Sequence, residues 1–236
     1  MSKTEDAHAT VRAAILDCRL PPEAPLAVSS LKARFGFGWT PLREALSRLE
    51  AERLVEFQPN KGYRVAGVSA ASLRDLQEAR RAIEIRLLSR AIDRGGEDWE
   101  AQIVAAHHLL AKAPAPFANA TVAEVGVWEA RHDAFHAALL AGAEAPWLAA
   151  FAAQVAEQLR RHHRFMLRAP EVAARLAAPG NDALRQIFAD HLGLAHHSAL
   201  MEATLARDTA RAEALLIEHI GFSLAVYEAL WPQAGG

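Results

Sequence analysis

The sequence predicts a mainly α-helical chain: a small N-terminal domain of three helices and a β-hairpin, followed by a larger all-α antiparallel helix bundle. Three observations carry this prediction. Apolar residues recur at helical spacing through most of the chain. The alternating, β-branched and aromatic pattern of strands is confined to the region around residues 54–68. After it, Gly and Pro breaks divide the chain into long helical segments. At 236 residues, 52% of them apolar and 23% charged, the chain has the composition of a globular protein and room for two domains.

Residues 5–18 set Ala7, Val11, Ala14, Ile15 and Cys18 on one helical face, and Pro21-Pro22 stops that helix. Ser29 and Ser30 then precede a short amphipathic stretch, LKARFGF, which closes at Gly36 and Gly38. A third helix is expected over TPLREALSRLEAER, with Thr40 as N-cap and Pro41 at the first helical position, where a missing N–H costs nothing. In it Leu42, Leu46 and Leu49 face inward. LVEFQ and GYRVAGV read as strands joined at Pro59-Asn60-Lys61-Gly62. Three helices and a hairpin in this order make a winged helix-turn-helix, whose third helix is offered to a DNA major groove with the hairpin loop beside it. The first domain is therefore placed at residues 1–67 and the second at 68–236.

From Ser69 onward helices are expected over roughly 69–94, 97–112, 121–142, 145–168, 181–206 and 208–231. Gly95-Gly96, Pro114-Ala115-Pro116, Pro179-Gly180 and an Asp208 cap separate them, and Thr121 with Glu124 fits a capping box. The pattern is that of a bundle of six or seven helices.

Charge and composition exclude several classes. The net charge is −2, but residues 1–67 hold 10 Lys/Arg against 8 Asp/Glu while the remainder holds 16 against 20, so any phosphate-binding surface is local. No run of about twenty apolar residues is present to span a bilayer, and the polar N-terminus does not read as a secretory signal; the expectation is a cytoplasmic chain with no membrane partner. The one cysteine, Cys18, is read as a helix residue and supports neither a disulfide nor a thiolate metal site. No HExxH, nucleophile elbow or Gly-rich phosphate loop points to an enzyme.

The segment GFGWTPLREALSRLEAERLVEFQPNKGYRVAGVS resembles the N-terminal domain of the GntR family, whose turn and recognition helix read like vSrtPvREAL.rLe.eGLv and whose wing carries an Arg/Lys-Gly pair. Thr40, Pro41, Arg43, Glu44, Ala45, Leu46, Leu49, Leu54, Val55, Lys61 and Gly62 carry the match. The resemblance implies a ligand-responsive regulator of transcription that binds an operator in double-stranded DNA as a homodimer, with repression the expected sign. Physical chemistry divides the labour. Arg43 can fork onto a guanine edge, and Thr40 with the N–H groups of the helix N-terminus suits a phosphate oxygen. Lys61 brings charge to the backbone or minor groove, and Gly62 permits close approach. Ser29 and Ser30 offer a further phosphate contact. Trp39 stands where many family members carry a basic or small polar residue that reads a base, so a different target sequence is expected.

Eleven histidines raise the question of a metal. His132 and His136 lie four apart in RHDAFH, His196-His197 fall in a later helix and His219 in the last. The second domain is similar to the FCD domain of the FadR subfamily, in which a helix carrying D…FH and one histidine from each of the last two helices form a metal site above the effector pocket. The resemblance assigns His136, His197 and His219 to that site. His132 stands at the position of the expected Asp, with Asp133 beside it. A histidine set favours a divalent ion such as Zn or Ni over hard cations; a carboxylate bound directly by the histidines is the alternative. His107 and His108 are read as surface residues.

The same resemblance places Arg80 near the effector, with Glu84 one turn further along. Arg161 and Arg164, in the cluster at 160–164, form either a second anion contact or a solvated face. A small carboxylic acid clamped by metal and Arg is the expected effector. HDAFHAALLAGAEAPWL and ALMEATLARDTARAEALLIEHI, with GWTPLREALSRL, look most like a CsiR-type branch, which implies a five-carbon dicarboxylate such as glutarate or 2-hydroxyglutarate. Two other classes stay open at this point: a metal-dependent enzyme whose histidine site activates water, and a DNA-binding protein without a ligand.

Overall fold

The computed structural model describes residues 2–113, 121–168 and 170–231, and the Pro114-Ala115-Pro116 break lies outside them. The chain divides into two compact units, Met1–Leu73 with Glu157–Met166, and Arg74–Ala156 with Leu167–Gly236.

The first unit is a winged helix-turn-helix. Helix α1 (Lys3–Leu16) starts in a capping box between Ser2 and Glu5, α2 spans Val28–Phe35 and α3 spans Trp39–Ala51. Strands β1 (Val55–Gln58) and β2 (Gly62–Val65) pair antiparallel, from Val55 opposite Val65 to Gln58 opposite Gly62. The turn takes Asn60 and Gly62 into the left-handed region, at φ 64° and 80°, as tight hairpins demand. Ala7, Val11, Ala14 and Ile15 of α1 pack against Leu42, Ala45, Leu46 and Leu49 of α3, with Leu31, Leu54, Val55 and Val65 closing one core.

Three local expectations change. Thr40 is not the N-cap: extended Gly38 holds that position, so α3 starts at Trp39, with Thr40 and Pro41 in its first turn. Pro is tolerated there because the first N–H groups have no intrahelical acceptor. Ser29 and Ser30 likewise sit inside the first turn of α2, behind an Ala27 cap. Cys18 lies past the end of α1 in a left-handed conformation, φ 55°, with its Sγ 3.7 Å from the Arg161 carbonyl.

The part of helix α7 (Pro146–Arg168) that belongs to this unit supplies donors to the ends of its elements. Gln158 Nε2 donates to the Glu52 carbonyl that terminates α3 (2.9 Å), and Arg164 donates to the Leu16 carbonyl at the end of α1 (3.3 Å) and to the Asp17 carboxylate. Arg161, 3% exposed, donates to the carbonyls of Ala66 and Gly67 just after β2. Terminal carbonyls have no partner within their own helix, so each is satisfied from outside.

The second unit is all-helical: α4 (Ala70–Arg94, its first turn in the first unit), α5 (Glu97–Ala111), α6 (Val122–Ala141), α7 (Pro146–Arg168), α8 (Pro170–Ala177), α9 (Asp182–Leu192), α10 (Leu194–Leu205) and α11 (Thr209–Leu230). Helix α5 packs on α6 and α10, and α11 packs on α9 and α10. The Thr121–Glu124 capping box forms, and Asp208 accepts from the Arg211 N–H at 3.1 Å. Eight helices replace the expected six or seven among the described residues. PEVAARLA, read as connector, is helical and buries Val172 and Leu176 four apart. Gly193 splits the expected 181–206 helix by turning extended, φ −72° and ψ 151°, to cap α10. A Cβ at Gly193 would stand 2.3 Å from the Ala189 carbonyl oxygen, so the break needs glycine. Among the described residues no helix is long and apolar enough to cross a membrane.

Candidate functional site

The first unit offers one exposed helical face. Opposite the buried Leu42, Ala45, Leu46 and Leu49, helix α3 exposes Trp39, Thr40, Arg43, Glu44 and Ser47. Thr4 Oγ1 donates to Glu44 Oε2 at 2.8 Å, which ties α1 to that face, while Arg43 makes no ion pair among the described residues. Ser29 and Ser30 are exposed in the first turn of α2, Lys61 at the hairpin tip, and open space surrounds Gly62. These are the features a duplex contact needs: free cationic and hydroxyl groups beside an uncapped helix N-terminus.

The second unit brings four imidazoles together in its interior. Spacing of four sets His132 and His136 on one face of α6, and α10 and α11, packed on each other, contribute His197 and His219. All four are buried, and one ligand nitrogen from each lies within 4.8 Å of the other three. Donors on a single ion at about 2.1 Å stand up to about 4.2 Å apart, so the spread is close to that of a shared ion. Nε2 of His132, His136 and His197 is buried with no hydrogen-bond partner among the described residues, although buried polar atoms ordinarily find one. The donor set therefore fits a divalent borderline metal. Asp133 stands beside this set: its carboxylate is 3.7 Å from His132 Nδ1.

Neighbouring groups hold the rings in place. His197 Nδ1 donates to the Gly193 carbonyl at 2.8 Å, which leaves the lone pair on Nε2. The Trp128 ring stacks on His132 at 4.6 Å, and buried Phe135 lies edge-on to His136 and His197. Burial, then the mutual repulsion of the imidazoles and the charge of Arg80, pushes His136 and His219 far below the usual histidine value, and burial brings His197 to about 3. Near neutral pH these rings are uncharged lone-pair donors. Arg80 and Glu84, both buried on α4, pair through Nε–H to Oε1 at 2.9 Å; Glu84 Oε2 has no hydrogen-bond partner among the described residues.

Arg161 and Arg164 do not join this set; they belong to the first unit, engaged with Ala66, Gly67, Leu16 and Asp17. His108 is exposed, but His107 is half-buried and bonded to Ser198 Oγ at 2.9 Å. Sequence reasoning missed Trp128, although its place one turn before His132 puts it on the same face of α6. It missed the Gly193 carbonyl because no pattern marks which backbone oxygen a ring will meet.

Comparison with known proteins agrees with both halves. Residues 3–65 match the model for bacterial regulatory proteins of the gntR family, and residues 75–222 match that of the FCD domain. The HTH-type transcriptional repressor GlaR of Escherichia coli K12 is 36% identical over 215 residues, 91% of each chain. The chain belongs to the GntR family. This regulator is also 32% identical to the HTH-type transcriptional regulator BphR of Paraburkholderia xenovorans LB400, over 92% of its own length and 81% of that protein's. Its fold is shared with E. coli McbR/YncC (TM-score 0.64, 20% identity, all of both chains) and with a GntR transcriptional regulator from Rhodococcus sp. RHA1 (TM-score 0.66, 21% identity, 95% and 97% of the two chains). Family and relatives are DNA-binding transcriptional regulators rather than enzymes, which removes the metal-dependent enzyme.

Proposed function

We propose that this regulator is a homodimeric repressor that a small carboxylate releases from its operator, with the carboxylate taken up beside a divalent metal at the four-histidine centre. The observation that carries the reading is the convergence of four buried imidazoles from three helices on one point, with His136, His197 and His219 held uncharged near neutral pH. Neutral imidazoles offer lone pairs and no positive charge, so they suit a cation better than they suit a bare carboxylate, and direct binding of the anion by the histidines is disfavoured.

His132, His136, His197 and His219 would hold the ion, Zn, Ni or similar, which when bound supplies positive charge and open coordination positions to a carboxylate oxygen. Arg80 adds a guanidinium that can bond a carboxylate through two N–H groups, and Glu84 holds it in orientation through the 2.9 Å bond. With Arg161 and Arg164 engaged elsewhere, Arg80 is the guanidinium whose charge reaches His136 and His219. A five-carbon dicarboxylate such as glutarate or 2-hydroxyglutarate is the first ligand to try. Residues 1–67 contact the operator: Arg43 on a base edge, Thr40, Ser29 and Ser30 on phosphates, Lys61 and Gly62 at the wing, and two copies on the half-sites of a pseudo-palindrome. Residues 68–236 hold the effector and pair the chains. GlaR is named a repressor, and that name supports the sign.

The test is elemental analysis of the purified full chain, followed by carboxylate titration watched by thermal shift and by anisotropy of DNA from its own upstream region. Bound divalent metal, a carboxylate response abolished by chelation, and loss of both in the His197→Ala/His219→Ala variant are expected. A carboxylate response that survives chelation overturns the metal half of the reading.

A further inference from the structure

The recognition helix begins on a residue that its own packing does not explain. Trp39 is the first residue of α3, 53% exposed, and its indole makes no hydrogen bond among the described residues. Single exposed apolar residues are common on protein surfaces, so exposure alone carries nothing; position does. Trp39, Arg43 and Ser47 follow one another at intervals of four positions, which sets the three on one exposed stripe opposite the buried leucines. Trp39 occupies the N-terminal end of that stripe, the end that helix-turn-helix proteins direct at base edges.

An indole there has narrow chemistry. It carries no charge and one N–H donor, so it can neither neutralise a phosphate nor make the bidentate base contact of a basic residue. The single apolar group that base pairs present in the major groove is the C5-methyl of thymine. Wedging of side chains between base steps belongs to minor-groove binders, and α3 is a major-groove element.

We propose that Trp39 is a specificity-determining residue whose indole covers the C5-methyl of a thymine in each half-site, beside the base read by Arg43. This rests on the reading of α3 as the helix that enters the major groove. It makes recognition at that position apolar: a preference for thymine that adds nothing to the number of phosphates neutralised, and so nothing to the salt dependence of binding.

The experiment selects binding sites for the full-length chain from a random duplex pool and then replaces each thymine of the selected site, one at a time, by deoxyuridine. That exchange removes one methyl group and leaves base pairing intact. Wild-type protein should lose about fourfold in affinity at one thymine per half-site, the worth of one buried methyl. Trp39→Ala should be insensitive to deoxyuridine at that position, keep its sensitivity elsewhere, and select sites degenerate there. Trp39→Arg should exchange the thymine preference for guanine. The proposal is overturned if Trp39→Ala keeps the wild-type deoxyuridine profile, or if it weakens all sites equally with the profile unchanged, as packing against the sugar-phosphate backbone would. The underlying reading fails separately: if Arg43→Ala still selects the wild-type motif, α3 is not the reading helix.

Discussion

His132 shows how one side chain sets the character of a site. It takes the place of an expected Asp, so the four candidate donors are all imidazole nitrogens and bring no negative charge of their own. His132→Asp would introduce one carboxylate beside three imidazoles. Oxygen donors suit harder ions, so the variant should gain affinity for Mn relative to Zn and Ni, read by competitive metal titration; an unchanged order of affinities would mean that His132 is not a ligand. On the other face of function, Arg43→Ala should cost about 1–3 kcal/mol of operator affinity and relax selectivity at one base pair. Its circular dichroism should stay that of the wild type, since Arg43 is exposed and α3 is held by Leu42, Leu46 and Leu49. Both residues were legible in the sequence, because spacing of four and a charged residue early in a helix are local patterns. The lock on His197 was not, since it depends on a helix break that brings the Gly193 carbonyl under the ring.

Helix α7 carries the lesson at the scale of elements. Its cluster at residues 160–164 reads in the sequence as an anion site or a solvated face, and neither describes Arg161, whose acceptors are backbone carbonyls that no residue pattern displays. Short α8 and the break at Gly193 escaped for a related reason: eight residues give too few turns for a periodic signal, and an isolated glycine is compatible with a continuous helix. By contrast the wing and the three helices before it are written in local turn and strand chemistry. Two predictions belong here. Arg161→Ala strands two carbonyls and should destabilise the first unit by about 2–3 kcal/mol, seen as faster hydrogen exchange over residues 3–65; exchange at the wild-type rate would show that the guanidinium contributes nothing. His162, 1% exposed, accepts from Ser72 Oγ–H through Nε2 (3.0 Å) and donates through Nδ1 to the Gln158 carbonyl (2.9 Å). Burial lowers its value from 6.5 to about 4, so the unfolded chain takes a proton first as pH falls. Its contribution is complete above about pH 6.5 and is lost on acidification toward about 4, to a limit of about 3 kcal/mol. In His162→Gln the same peptides should show a flatter dependence of exchange protection on pH across that window, once intrinsic exchange rates are divided out.

For the whole molecule the proposed release from DNA is a linkage between two equilibria, and linkage has a consequence that can be measured from the opposite side. If the carboxylate lowers operator affinity by some factor, operator DNA must lower carboxylate affinity by the same factor. A tenfold effect corresponds to about 1.4 kcal/mol, well inside the range of such couplings. The histidine centre lies in one compact unit and the exposed face of α3 in the other, so the coupling is a property of the folded chain and not of either site alone. Titrating the effector into the metal-loaded regulator, free and saturated with operator, should give two dissociation constants whose ratio equals the loss in operator affinity measured with saturating effector. Chelation should abolish effector binding to both forms and, with it, the loss of operator affinity, because an effector that no longer binds can have no differential affinity for the DNA-bound state. Equal effector affinities with and without operator, alongside a clear loss of DNA binding in its presence, would break reciprocity and show that the carboxylate acts through something other than binding at this centre.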